Sequence, residues 1–188
     1  MHKNTDKGGS MRRGLAVLVV FFLLSVISPA CLQASTDEQV CFSPGGNCAQ
    51  KIVDQLNGAE KSVLVQAYSF TSKPIAEALI NAFRRGVKVK VIADKSQLRG
   101  KGSKIKTLAD AGVPVSIDTA HAIAHDKVIV IDGVTVVTGS FNFTRAAEDK
   151  NAENVLIIRN KKVAAKYRAN WYRHKKHSKP YLIEIEKS

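Results

Sequence analysis

Acidic residues and cysteines are scarce in this sequence. Sixteen Asp and Glu stand against 29 Lys and Arg over 188 residues, a formal charge of +13. A chain so short of acid is attracted to polyanions, and the attraction weakens as salt rises. Nucleic acid, anionic lipid and general solubility all fit that sign, so charge alone names no partner. Three cysteines are too few for a scaffold built on disulfides, and their spacing carries no zinc signature. The core must therefore be apolar, and 188 residues with 45% apolar composition can build a substantial one. Long apolar runs are also lacking. Residues 15–27, LAVLVVFFLLSVI, form one, and it is short for a membrane span.

Arg12 and Arg13 precede that run, which gives residues 1–34 the charged and apolar regions of an export leader. Small residues suit a cut after Ala30; a cut after Ala34 places Leu32 less suitably. Cys31 has a second reading as a lipid-attachment site, against which the preceding Ser28-Pro29-Ala30 lacks the expected Leu. The expectation is a leader over 1–34, a single domain over 35–188, a periplasmic or secreted location, and no stable membrane association after cleavage. Without 1–34 the chain keeps 25 basic and 15 acidic groups, still +10. Cys41 and Cys48 close a short loop, CFSPGGNC. Export permits a disulfide there; the alternative is two free thiols in a mobile segment.

Along the domain, the spacing predicts a helix over 48–58, a buried strand over 62–70, and a helix over 75–85 capped near Thr71-Ser72 and ended by Gly86. A strand over 87–93 completes a parallel crossover. A helix over 103–111 and a strand over 113–117 follow, the latter near an edge because of Pro114. Strands 127–131 and 134–138 flank Asp132-Gly133, a hairpin signal. Strand 154–158 leads into a basic helix over 161–176, and the closing YLIEIE alternates like an edge strand. The fold class is α/β, a mixed sheet flanked by helices.

The chemistry concentrates in His125-Asp126-Lys127, Asp132 and Gly139-Ser140-Phe141-Asn142. Residues two apart on a strand face the same way, so an imidazole and an ammonium stand side by side. Lys127 can neutralise a phosphodiester oxygen, Ser140 and Asn142 can donate to others, and Gly139 permits close backbone approach. Imidazole is a competent nucleophile near neutral pH. Fixed cations and donors can meet the developing charge without a metal ion.

H-x-K-x4-D followed six residues later by G-S-x-N resembles the signature of the phospholipase D superfamily, intact here at His125, Lys127, Asp132, Gly139, Ser140 and Asn142. The stretch HAIAHDKVIVIDGVTVVTGSFNFTRAAEDKNAENV resembles more specifically the small single-motif bacterial endonucleases of that superfamily. The resemblance runs from about residue 40 to 175 and is tightest over 121–155. It implies a phospholipase D-like fold and an exported homodimer. It also implies cleavage of single- and double-stranded DNA, and of RNA by some members, with chelator present and so with no cofactor or metal. Superfamily chemistry uses two motifs, and one is found here, so the resemblance implies two His125 side chains meeting at a twofold axis. It further implies that Glu153 accepts a hydrogen bond from His125 and fixes its tautomer, with Asn154 assisting. Asp132, at a turn, reads as structural support or a dimer contact. The serious alternative is a phospholipid or cardiolipin phosphodiesterase; a DNA-binding module without catalysis would need a broken motif.

His121 and His125, four apart, imitate a metal pair, but HAIAH lacks the Glu of HExxH and reads as loop. His121 is expected to line the cleft or lie exposed, and Lys95 and Arg99 to border the cleft. Asn142-Phe143-Thr144 matches a glycosylation sequon but belongs to the motif. Phe141 and Phe143 are expected in the core more than as base-stacking platforms. Residues 159–188 hold ten Lys or Arg against two Glu and form either a phosphate-contacting surface or a solvated helix face. Trp171 and Tyr167, four apart, are placed to pack that helix on the sheet.

Overall fold

Burial of alternating apolar residues on two faces of one sheet organises the chain. The computed structural model describes residues 37–181; the expected leader, its cleavage site and Cys31 lie outside the described residues. Eight strands run in the order β1-β7-β6-β5-β2-β3-β4-β8. They are β1 (Asp37–Ser43), β2 (Ser62–Ala67), β3 (Lys88–Asp94), β4 (Val115–Asp118), β5 (Lys127–Ile131), β6 (Thr135–Gly139), β7 (Glu153–Arg159) and the two-residue β8 (Lys179–Pro180). β2, β3 and β4 are parallel; the other pairings are antiparallel. The α/β mixed sheet read from the sequence is thus present.

Helices α1 (Cys48–Asn57), α2 (Lys73–Arg84) and α3 (Ile105–Asp110) cover one face, burying Ile52, Leu56, Ile75, Leu79 and Leu108 against Val63, Val65, Val89 and Ile129. Ser72 caps α2 by accepting the Ile75 N–H, and Pro74 is tolerated because first-turn N–H groups have no helical partner. Helix α5 (Lys161–His177) lies on the other face, with Ala164 and Trp171 against Leu64, Ile92, Val128, Val130 and Val136. Trp171 is fully buried and its indole N–H donates to the Val65 carbonyl at 2.9 Å. Phe141 and Phe143 are buried in the core, as expected. Among the described residues, no helix is long and apolar enough to cross a membrane.

Three features differ from the sequence reading. Residues 37–43 are not a mobile segment but edge strand β1 along β7, and of the two readings of Cys41 and Cys48 the disulfide is the one present, with Cα atoms 5.8 Å apart. A short helix α4 (Arg145–Asp149), capped by Thr144, follows the motif, and Glu148 on it accepts the Ala49 N–H at 2.7 Å, supporting the start of α1. The edge strand at the C-terminus is Lys179–Pro180, where Tyr181 N–H still reaches the Val115 carbonyl; residues 182–186 of the expected strand lie outside the described residues.

Asp132 closes the β5–β6 hairpin at a positive φ of 54°. Its carboxylate accepts the backbone N–H groups of Glu60, Lys61 and Ser62 at 3.0, 2.7 and 2.8 Å. Burial would raise its pKa, but these donors outweigh burial and hold it below the ordinary aspartate value. The depressed pKa means that its stabilisation is complete above the ordinary pKa near 3.8 and fades as pH falls toward the lower folded value.

Two outcomes are expected. Trp171→Ala should cost about 3–5 kcal/mol in denaturant unfolding, through lost volume and an orphaned Val65 carbonyl. Asp132→Asn should cost about 1–3 kcal/mol at pH 7, with the gap to the unsubstituted protein closing below pH ~4. A gap independent of pH would mean that the carboxylate charge does not hold the hairpin.

Candidate active site

His125 is delivered by an irregular segment, 119–126, which joins β4 to β5. Without ladder hydrogen bonds, that segment is held by buried carboxylates. Asp94, at the end of β3, accepts the Ala124 N–H at 2.7 Å and the Ser96 N–H at 2.9 Å. Burial opposes the charge on Asp94, but these bonds prevail and keep its pKa low. Tyr68 N–H donates to the Asp126 carbonyl at 3.0 Å, extending the β2–β5 pairing by one step.

His125 is exposed at the mouth of an open cavity of about 570 Å³. Lys127, Ser140, Asn142 and Glu153 line the same cavity, with Gly139 and Tyr167. The Lys127 ammonium is buried, donates to the His125 carbonyl at 2.7 Å and lies 5.0 Å from the Tyr68 ring centroid. Burial pushes its pKa below the usual lysine range, while Asp126 and Glu153 pull the other way. The Tyr68 ring packs against His125 at 4.6 Å between centroids. Tyr68 is a member of the site that the sequence reading missed, because within an apolar strand a tyrosine signals packing.

Ser140 and Asn142 follow the end of β6, where Gly139 has φ 147°. A Cβ at Gly139 would collide with the Asn154 carbonyl, so only glycine allows this approach of β6 to β7. The same carbonyl accepts the N–H groups of Ser140 and Phe141, and Ser140 Oγ accepts the Asn154 backbone N–H at 3.0 Å and its side-chain amide at 3.2 Å. Asn154 thus positions Ser140. The Oδ1 of Asn142 is buried with no hydrogen-bond partner. Such an orphan costs about 1–3 kcal/mol and marks an amide whose hydrogen-bonding capacity is not used within the protein.

Several placements differ from expectation. Glu153 shares the cavity with His125, but its Oε1 accepts the Asn151 amide at 3.1 Å, and among the described residues His125 makes no side-chain hydrogen bond. The anticipated Glu153–His125 bond is therefore not formed here; the competing amide is two residues away in sequence. Asp132 is the structural support that its turn position implied: it lies at the far end of β5, roughly 20 Å along the chain from His125, and does not line the cavity. Lys95 and Arg99 line a neighbouring depression with Tyr68, Leu98 and Ile123. His121 does not line the His125 cavity. It turns away from His125 and gathers with Asp118, His174 and His177. The sequence reading missed this group, since 56 residues separate Asp118 from His174.

Comparison with known proteins agrees with this geometry. The family described as cardiolipin synthase, PLD-like domain, matches residues 52–175. A protein named phospholipase D from Rickettsia typhi is 50% identical over 135 residues, 72% of this chain and 66% of that protein. The chain thus spans just under two thirds of the length of such relatives. A mitochondrial cardiolipin hydrolase from Xenopus laevis is 33% identical over 156 residues, 82% of this chain and 74% of its own. Among solved structures, the phospholipase D family member Nuc from Salmonella typhimurium has a TM-score of 0.75 at 38% identity, over 79% of this chain and 100% of that one. NucT from Helicobacter pylori shares the fold, with a TM-score of 0.72 at 22% identity, covering 78% of this chain and 100% of that one. With His125, Lys127, Ser140 and Asn142 around one cavity and residues 52–175 matched, the chain belongs to the phospholipase D-like family.

Proposed function

We propose that this protein is an exported, metal-independent phosphodiesterase that cuts DNA, and RNA as well, without base specificity. The observation that carries the reading is the convergence of an exposed imidazole, a buried ammonium, a hydroxyl and an unpaired amide on one open cavity. His125 attacks phosphorus and the P–O bond to the leaving oxygen breaks, giving a phosphohistidine. Lys127, Ser140 and Asn142 meet the charge on the non-bridging oxygens. His125 of a second copy, protonated, gives its proton to the leaving oxygen. It then takes one from water, which hydrolyses the phosphohistidine. The two imidazoles exchange the roles of nucleophile and acid–base between the copies.

Support for a second copy comes from the sheet beside the cavity. Val40 and Phe42 on edge strand β1 are 55% and 67% exposed. They pair with Leu156 and Asn154 on β7, and Leu156 pairs with Thr138 of the cavity wall, so all share one face. This apolar strip beside an exposed nucleophile suits a self-complementary interface. Nucleic acid is favoured by the +10 charge of residues 35–188 and by exposed Lys161, Lys162, Lys166, Arg168 and Arg173 on α5. Phospholipid is the second reading, favoured by the names of the Rickettsia and Xenopus relatives.

The deciding measurement is degradation of single- and double-stranded DNA and RNA by the purified protein in excess EDTA, beside cleavage of phospholipid vesicles containing cardiolipin. Nucleic acid should be cut, His125→Ala should abolish cutting, and Lys127→Ala should lower turnover about 10²–10³-fold without changing assembly. Unchanged hydrolysis by Lys127→Ala would remove its assigned role, and vesicle cleavage alone would transfer the reading to lipid. Phe42→Asp should turn a dimer into a monomer in sedimentation and remove cutting; an active monomer would overturn the shared site.

A further inference from the structure

Four ligating side chains meet about the end of β4, outside the cavity that holds His125. Asp118 is fully buried. Its Oδ1 is taken by the backbone N–H groups of Ala120 and His121 at 3.1 and 3.3 Å. Its Oδ2 faces three imidazole nitrogens: His174 Nδ1 at 2.9 Å, His121 Nδ1 at 3.0 Å and His177 Nε2 at 3.4 Å. His121 Nδ1 also lies 3.2 Å from Oδ1, but that oxygen already accepts two N–H groups, and the two lone pairs of Oδ2 do not satisfy three imidazole contacts. The four ligand atoms all lie within 4.8 Å of one another. A tetrahedron of bonds near 2.0–2.1 Å has edges of roughly 3.3–3.4 Å, close to the spacings about Oδ2.

The donor set selects the kind of ion. Three imidazoles and one carboxylate are ligands for zinc and its neighbours, whereas magnesium and calcium want oxygen. Only one acid contributes, and basic groups stand close: the Lys95 ammonium donates to the His121 carbonyl at 2.9 Å, and Lys175 and Lys176 separate His174 from His177. Such a site holds an ion by strong imidazole bonds more than by field. His174 Nε2, the nitrogen not facing Asp118, lies 3.9 Å from Asp126 Oδ2. That is too long for a hydrogen bond, and Asp126 Oδ2 accepts the Gln66 amide at 3.0 Å, but the carboxylate stands on the side of the ring where an outer partner would sit. Asp126 is also the neighbour of His125.

We propose that Asp118, His121, His174 and His177 form a four-coordinate site for a zinc-class divalent ion, which clamps segment 119–126 to the C-terminal end of α5. All four positions are filled by protein, as in structural zinc sites, so the ion reinforces a segment already anchored by Asp94 and takes no part in cleavage, which should persist in EDTA. His121 and His177 are 44% and 38% exposed in their side chains, which leaves an entry path.

The test uses the full chain, freed of metal by chelator and then titrated with Co²⁺ and Zn²⁺. One equivalent of Co²⁺ should give the intense visible absorption of tetrahedral coordination, one equivalent of Zn²⁺ should displace it, and Zn²⁺ should raise the Tm. His177→Ala, at a partly exposed position, should weaken binding more than about 100-fold, beyond what an outer-shell partner costs. His121→Asn serves as a second variant, with far-UV circular dichroism checking that each is folded. Absence of cobalt absorption and of zinc binding up to millimolar ion would overturn the proposal and leave a hydrogen-bonded cluster. Undiminished binding by folded His177→Ala and His121→Asn would overturn it as well. Because colour, stoichiometry and Tm are read without substrate, failure here is distinguishable from failure of the phosphodiesterase reading.

Discussion

The register of β5 against β2 is the constraint on which the site depends. Asp132 fixes one end of that pairing by accepting three consecutive N–H groups from residues 60–62. With that end set, Lys127 falls opposite Ala67, and the next residue, Tyr68, meets His125 and the Lys127 ammonium. A slip of one residue would exchange the two faces of β5 and send Val128 and Val130 away from Trp171. A motif residue remote from the cavity therefore acts on it through the strand between them.

A second fixed point is the crossing of β6 and β7 at Gly139 and Asn154. The absent side chain at Gly139 lets one carbonyl accept two N–H groups, and Ser140 returns a hydrogen-bond acceptor to Asn154. Ser140 and Asn142 are held by backbone geometry, so a phosphate would meet donors whose positions are already paid for. Preorganisation of this kind is what makes electrostatic stabilisation effective when charge develops.

Much of this was legible in the sequence. Alternation and hairpin signals locate β5 and β6, and the strand–helix–strand run locates β2, α2 and β3. The spacing His125-x-Lys127 places both groups at one strand end. What local pattern does not encode is partnership across the chain. β1 is polar along much of its length and becomes a strand only because β7 offers an edge. Glu153 is in the cavity, but its carboxylate accepts from Asn151, a partner that the motif spacing does not specify. The pair His121 and His125 imitates a helical metal site, yet the backbone between them is irregular and their rings diverge. The histidines that do meet His121 come from α5, more than 50 residues later.

The scarcity of acid has a structural counterpart. Asp94, Asp118 and Asp132 each accept at least two backbone N–H groups, and Glu148 accepts one at the start of α1. The first two are almost wholly buried. These acids are spent as internal anchors, where desolvation is offset by donors that would otherwise be unpaired. Helix α5, by contrast, carries no Asp or Glu, and its Lys161, Lys162, Lys166, Arg168 and Arg173 are exposed. The exposed charge along α5 is therefore all of one sign. Acid thus serves mainly to hold backbone in place, at the His125 segment among other positions, while base is displayed on α5, where a polyanion would meet it.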